Sequence, residues 1–156
     1  MHEVLRGGLL KNRAFVKDDS AASLIAFSEW QDSFAQLEKS QPTHGVILPG
    51  DCECENFLPA LLQRPLIAIF FEKFNDGRGY SLARILREAG FQGELRAIGD
   101  ILIDQIFYLH RCGFNSFQLR DDQKQQDALA ALESFTVMYQ MAADQRLPAY
   151  KTNGFK

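Results

Sequence analysis

Cysteine is scarce in this chain and its count is odd. The three are Cys52, Cys54 and Cys112, and a pair one residue apart plus a distant single is not a disulfide framework. That usage points to a reducing cytoplasm. Long hydrophobic runs are lacking too. The longest, Leu66 to Phe71, has the length of a strand and falls far short of the roughly 20 residues a membrane span needs. Met1 to Leu10 includes Gly7-Gly8 and no apolar core of a secretory leader, so no signal peptide is expected. Neither sign of charge dominates. The net charge is -3 with both signs interspersed, which leaves no basic face for nucleic acid.

What is present is ordinary globular material. A chain of 156 residues, 46% hydrophobic and 24% charged, fits one domain spanning 1–156. Such a chain buries roughly 70% of its unfolded surface without staples. The ends, 1–20 and 145–156, are expected to be irregular or flexible. No repeat, low-complexity tract or linker interrupts the rest.

Short apolar runs alternate with helical periodicity. Leu24 to Phe27 reads as a strand. Glu29 to Lys39 reads as a helix with Ser28 as its N-cap and Trp30, Phe34 and Leu37 on one face. Gly45 to Leu48 is a second strand and Asn56 to Gln63 a helix that Pro59 keeps short. Leu66 to Phe71 is apolar on both faces, as a central parallel strand is. The next helix puts Leu82, Ile85, Leu86 and Ala89 inward and Arg84, Arg87 and Glu88 outward, and Gly90 stops it. Glu94 to Ile98 is a strand, Asp100 to Cys112 a helix, Phe117 to Leu119 a strand and Gln125 to Met141 a helix.

Strands alternating with helices predict an α/β fold with a five-stranded, mainly parallel sheet. A doubly wound sandwich is the favoured arrangement, with a partial TIM-like barrel as the alternative. The alternative draws on Arg96, Gln118 and Arg120, polar strand residues that a closed sandwich would bury beneath helices. An open sheet face, or one covered by a second copy in a homodimer, leaves them wet.

In open α/β sheets, ligands sit outside the carboxyl ends of the strands. The loop from Glu72 to Ser81 leaves that edge. It contains Asp76-Gly77-Arg78-Gly79-Tyr80-Ser81. Its glycines permit close backbone approach, and the helix that follows offers unpaired N–H groups to an anion. Arg78 would add a fork of donors, with Arg84 and Arg96 in support. The plainer reading is a turn at Asp76-Gly77, a cap at Ser81 and a solvated Arg78. Asp100 and Asp104 lie one helical turn apart beside Gln105. They suit acid–base chemistry, or a cap and a charge at the helix N-terminus.

Cys52-Glu53-Cys54 invites a metal or redox reading. A structural zinc site commonly takes two such pairs, whereas Cys112, His44 and His110 lie on distant elements. No metal is assigned. No dinucleotide fingerprint and no cluster or haem pattern is present, so the cofactor and the catalytic residues are left unassigned.

The second half of the chain resembles a known family. Phe74-x-Asp76-Gly77-Arg78-Gly79-Tyr80-Ser81-Leu82-Ala83-Arg84, then Gly93-Glu94-Leu95-Arg96-Ala97-x-Gly99-Asp100, then Asp104-Gln105-x-Phe107-Tyr108-Leu109-x-Arg111-Cys112-Gly113-Phe114, with Tyr139-Gln140 near the end, is similar to the bacterial domain-of-unknown-function family 934 (DUF934). The match is dense from about Leu66 to Gln140, and Cys52-Glu53-Cys54 falls outside it. Members are described as oxidoreductases or accessory proteins of sulfite reduction, and their genes tend to lie beside that of the sulfite reductase haemoprotein. The resemblance implies that Asp76 to Ser81, Arg96, Gly99, Asp100, Asp104 and Gln105 form a signature. It implies a small anion such as sulfite, or a cofactor, at the edge formed by 72–81. The alternative is a non-catalytic assembly module for the haemoprotein.

Overall fold

The computed structural model describes residues 5–16, 24–33 and 44–133. The first of these segments is a hairpin, β1 (Arg6–Lys11) and β2 (Ala14–Val16). Asn12 and Arg13 turn it with φ of 49° and 67°, the left-handed backbone whose twist suits a two-residue hairpin loop. Within the expected irregular stretch 1–20, the described residues 5–16 are instead mostly strand, and 1–4 and 17–20 lie outside the described residues. The remainder of the structure runs β3 (Leu24–Ala26), α1 (Phe27–Asp32), β4 (Gly45–Pro49), a 3-10 turn (Glu55–Phe57) leading into α2 (Leu58–Leu61), and β5 (Leu66–Phe71). Then come α3 (Arg78–Glu88), β6 (Glu94–Gly99), α4 (Ile103–Cys112), β7 (Ser116–Lys124) and α5 (Gln125–Glu133).

The strands form one seven-stranded sheet in the order β2-β1-β7-β6-β5-β4-β3. From β3 to β7 each strand pairs in parallel with the next in the chain. The hairpin closes the far edge through antiparallel pairing of β1 with β7. The class is α/β with a mixed sheet. The doubly wound arrangement does not hold, because such a sheet reverses its strand order at a switch point and this one never does. From β3 to β7 every crossover steps to the adjacent strand in the same direction. Right-handed connections then lay the helices on one face.

That face holds the core. Val46, Leu48, Ile67, Ile69, Phe71, Leu95, Ala97, Phe117 and Leu119 meet Trp30, Leu61, Leu82, Leu86, Ile106 and Leu109 from the helices. Residues alternate across a strand, so Phe70, Arg96, Gln118 and Arg120 belong to the opposite face. Of these polar strand residues expected to be wet, Gln118 is exposed and Arg120 half-buried, whereas Arg96 is buried; the strand order is compatible with the partial-barrel alternative.

Helix starts moved from the sequence expectation. α1 begins at Phe27, with Ala26 and not Ser28 in the N-cap position. Phe27 and Trp30 are three positions apart and their rings pack at 5.8 Å, a burial that outweighs the lost cap. Phe34 and Leu37 lie outside the described residues, as does the span 134–141 of the last helix and the end 145–156. Pro59 sits in the first turn of α2, where its missing N–H costs nothing. Gly90 ends α3 as expected and Gly113 ends α4 in the same way, with φ of 103° and 116°.

Candidate functional site

The loop after β5 is built by Asp76. Its N–H closes a turn onto the carbonyl of Lys73 at 3.1 Å. Its Oδ1 accepts the Arg78 backbone N–H at 3.1 Å and the Arg78 Nε at 3.0 Å, and its Oδ2 accepts the Arg78 Nη2 at 2.7 Å. α3 therefore starts at Arg78 with Gly77 as N-cap residue. Ser81 is inside the first turn and not its cap. The carboxylate of Asp76 occupies the place where the sequence suggested an external anion. Hydrogen bonding to Arg78 holds the Asp76 carboxyl down at about 2. Asp51, at the end of β4, lies a further 3.6 Å from Arg78 Nη1.

The two glycines do different jobs. A Cβ on Gly79 would meet the Phe71 ring at 2.6 Å and Ile69 Cγ2 at 3.2 Å, whereas one on Gly77 would meet nothing within 4 Å. Gly77 has φ of -81°, which any residue adopts. Close approach is needed at Gly79, and what approaches is the core, not a ligand.

Behind the loop, Asp100 and Gln105 hold the backbone of Phe74. Asp100 Oδ2 accepts the Phe74 N–H at 3.1 Å. The Gln105 side-chain amide donates to the Phe74 carbonyl, and its oxygen accepts the Leu102 N–H at 3.0 Å. Asp100 Oδ1 accepts from Arg120 Nη1, while Arg120 also binds Asp122 at 2.7 Å and 3.1 Å. Gly99 makes this possible. Its φ is 93° and a Cβ would lie 2.4 Å from the Phe71 carbonyl. Asp100 is therefore a link between its own loop, the Phe74 loop and β7 and not a helix cap, because α4 starts only at Ile103. Asp104 stands exposed in the first turn of α4, as a charge near the helix N-terminus should.

Arg96 is not brought to this loop. It lies mid-strand opposite Ala68 and Ser116, 6% exposed, with its Nη2 2.7 Å from Glu94 Oε1. Lys11 Nζ reaches the other oxygen of Glu94 at 2.9 Å. Burial raises the Glu94 carboxyl, and the bonds from Lys11 and Arg96 outweigh it and hold it below its usual range. Arg84 is exposed on α3 and does not line the cleft described next.

Loop, α3 and α4 enclose an open cleft of about 430 Å³ lined by Phe74, Asn75, Gly77, Tyr80, Ser81, Gln105 and Tyr108. Tyr80 and Tyr108 form its aromatic wall with ring centroids 5.2 Å apart. Burial pushes the Tyr80 hydroxyl up to about 12, so it stays a neutral phenol. Asn75 belongs to the loop expected to form the site, whereas Phe74 was not singled out within it. The available signal was a large apolar residue placed in a polar loop. Arg87, expected outward, instead reaches the carbonyls of Gly113 at 2.9 Å, Phe91 at 2.8 Å and Gly93 at 3.0 Å.

The family described as "Bacterial protein of unknown function (DUF934)" matches residues 45–150. The chain belongs to it. The DUF934 match contains every part of the cleft and every candidate residue from Asp76 to Gln105. It also contains Cys52 and Cys54, which precede the densely matching stretch that begins at about Leu66. Those thiols sit at the end of β4, Cys54 buried and Cys52 partly exposed. A hydrogen bond between them raises the Cys52 thiol and lowers that of Cys54. Among the described residues no group of three or more His, Cys, Asp or Glu is placed to hold a metal. None of their helices is long and apolar enough to cross a membrane. No curated protein and no solved structure matches the chain.

Proposed function

We propose that this DUF934 protein serves sulfite reduction in the cytoplasm by binding a small molecule or cofactor in the cleft between the 72–77 loop, α3 and α4. The observation that carries the ligand role is the cleft itself. Its volume of about 430 Å³ falls in the range of small-molecule sites, and it sits at the carboxyl edge of a parallel sheet where such sites form. The link to sulfite reduction rests on the family resemblance. The free thiols suit a reducing compartment. An oxyanion form of the ligand is less favoured than an organic one. Arg78, Arg96 and Arg120 each already hold a carboxylate of this chain, so sulfite would have to displace one.

The absorbance spectrum of the protein purified from its native host tests the cofactor form, and calorimetric titration tests the rest. A chromophore, or saturable heat from a small molecule that Tyr108→Ala abolishes, supports the reading. Titration with sulfite that is sensitive to Arg78→Ala would move the site to the loop arginine. Both results being flat would count against any ligand role.

A second reading is an assembly module for the sulfite reductase haemoprotein. Phe74 and Tyr108 are 49% and 54% exposed, and large exposed aromatics are typical anchors of protein interfaces. Co-purification of the haemoprotein that is lost in Phe74→Ala would favour it. The sheet face carrying Phe70, 44% exposed, is where we place a homodimer contact in a partial-barrel arrangement. Sedimentation of Phe70→Asp tests that placement.

A further inference from the structure

We propose that the ligand of the cleft is an uncharged planar heteroaromatic ring that stacks on Tyr108 and accepts a hydrogen bond from Gln105. This rests on the reading of the cleft as a ligand site and narrows it to one chemical class.

The lining contains no charged side chain. Arg78 is adjacent in sequence, yet both its guanidinium and its backbone N–H are engaged by Asp76. An oxyanion entering the cleft would lose hydration and meet no opposite charge in return. The cleft is instead rich in π surface. Tyr108 is 54% exposed and Phe74 is 49% exposed.

Tyr108 is also held in place from behind. Its ring contacts Tyr80 at 5.2 Å, Tyr80 meets Phe71 edge-on at 5.5 Å, and Phe71 meets Phe114 at 5.9 Å. Phe71 and Phe114 are core residues, 3% and 1% exposed. A row of rings anchored in the core presents Tyr108 to the solvent without letting it collapse. Offset stacking on such a ring is open to any flat π system.

The polar groups set the edge of the ligand. Gln105 spends its oxygen on the Leu102 N–H and one amide hydrogen on the Phe74 carbonyl. A primary amide has two hydrogens, so the second is left, and the two bonds fix its direction. Ser81 adds a hydroxyl that both donates and accepts. A ring carbonyl or ring nitrogen matches that pattern, and a saturated hydrocarbon does not.

Riboflavin serves as a neutral planar probe, because stacking on a tyrosine quenches its own fluorescence. Adenosine is a second neutral ring, followed by calorimetry, and sodium sulfite is the anionic control. Expected are saturable quenching of riboflavin by the wild type, affinity at least about tenfold weaker in Tyr108→Ala, and retention in Tyr108→Phe, which keeps the ring. Circular dichroism of Tyr108→Ala establishes that the variant is folded. Sulfite should give no heat. Sulfite binding without binding of either ring compound overturns the ligand class and leaves the cleft a ligand site. Binding of riboflavin or adenosine that is indifferent to Tyr108→Ala also overturns it. Failure of all three probes overturns both the class and the ligand reading beneath it.

Discussion

Gln105 donates its side-chain amide to the carbonyl of Phe74, 31 positions earlier in the chain. The N–H of the same residue is held by Asp100 at 3.1 Å. Residues from two separated stretches of the family signature thus converge on one amino acid of the third. Asp76-to-Ser81, Asp100 and Gln105 are first of all a structural joint. That joint ties the Phe74 backbone to the first turn of α4 and so fixes the loop as one wall of the cleft.

The joint should be worth measuring as a coupled unit. Gln105→Ala and Asp100→Ala each remove a hydrogen bond to the Phe74 backbone, and Asp100→Ala also takes from Arg120 one of its two carboxylate partners. Each variant is expected to lose about 1–3 kcal/mol in urea denaturation. The double variant should lose less than the sum, by about 0.5 kcal/mol or more, since the two act on one residue. Strict additivity would mean that Phe74 is not their common target.

The two glycines of the loop offer a sharp contrast. Gly79→Ala drives a methyl into the Phe71 ring at 2.6 Å, an overpacking expected to cost about 1–3 kcal/mol. Gly77→Ala has open space and an ordinary φ of -81°. It should be neutral or stabilising by up to about 1 kcal/mol, because it restricts only the unfolded chain. Thermal unfolding of the pair would separate them. Equal losses would overturn the assignment of Gly79 alone to close packing against Phe71.

How much of this was legible follows from how local each signal is. β5 could be read because Leu66 to Phe71 is an unbroken apolar run, and α3 and α4 because their apolar residues recur at helical spacing before Gly90 and Gly113. The hairpin was not legible. Gly7 and Gly8 read as loop, and β1 is a strand only because it pairs with β7, more than 100 positions away, as at Leu10 and Phe117. Asp100 has the local profile of a cap, and only the position of Phe74 makes it a joint. The strand order was not legible either, since periodicity says where strands are and not which way each crossover steps. The cleft was half visible. Gln105 was noticed, but Tyr108 acquired its role only when α4 packed beside α3.

Arg87 illustrates the same point with a measurable cost. A helical position counted as outward proves to be a clasp. Its guanidinium binds three carbonyls, of Gly113, Phe91 and Gly93, and stacks over the Phe91 ring at 5.3 Å. A lysine is a point charge without the planar fork, so Arg87→Lys should be destabilised nearly as much as Arg87→Ala. About 1.5–3 kcal/mol is expected for the loss of a charged partner by buried acceptors, read as a shift in the urea midpoint. A lysine variant matching the wild type would show that charge alone suffices there.

Asp76 carries the pH dependence of the loop. Its carboxyl titrates at about 2 in the folded protein, below the ordinary 3.8, chiefly because Arg78 donates to it. A depressed folded value means that the carboxylate favours the folded loop at every pH above the ordinary range. That contribution fades as pH falls from about 4 toward about 2, where the folded-state carboxyl takes up its proton. The Arg78 backbone N–H then loses its charged acceptor. Amide exchange of Arg78 should be slow at pH 5 and lose protection specifically between pH 4 and 2, after correction for intrinsic exchange. The site is exposed to solvent, so added salt should blunt the effect. Asp76→Asn should lack this pH step from the outset. An Arg78 amide whose protection follows the same curve in Asp76→Asn as in the wild type would remove Asp76 from its place at the start of α3.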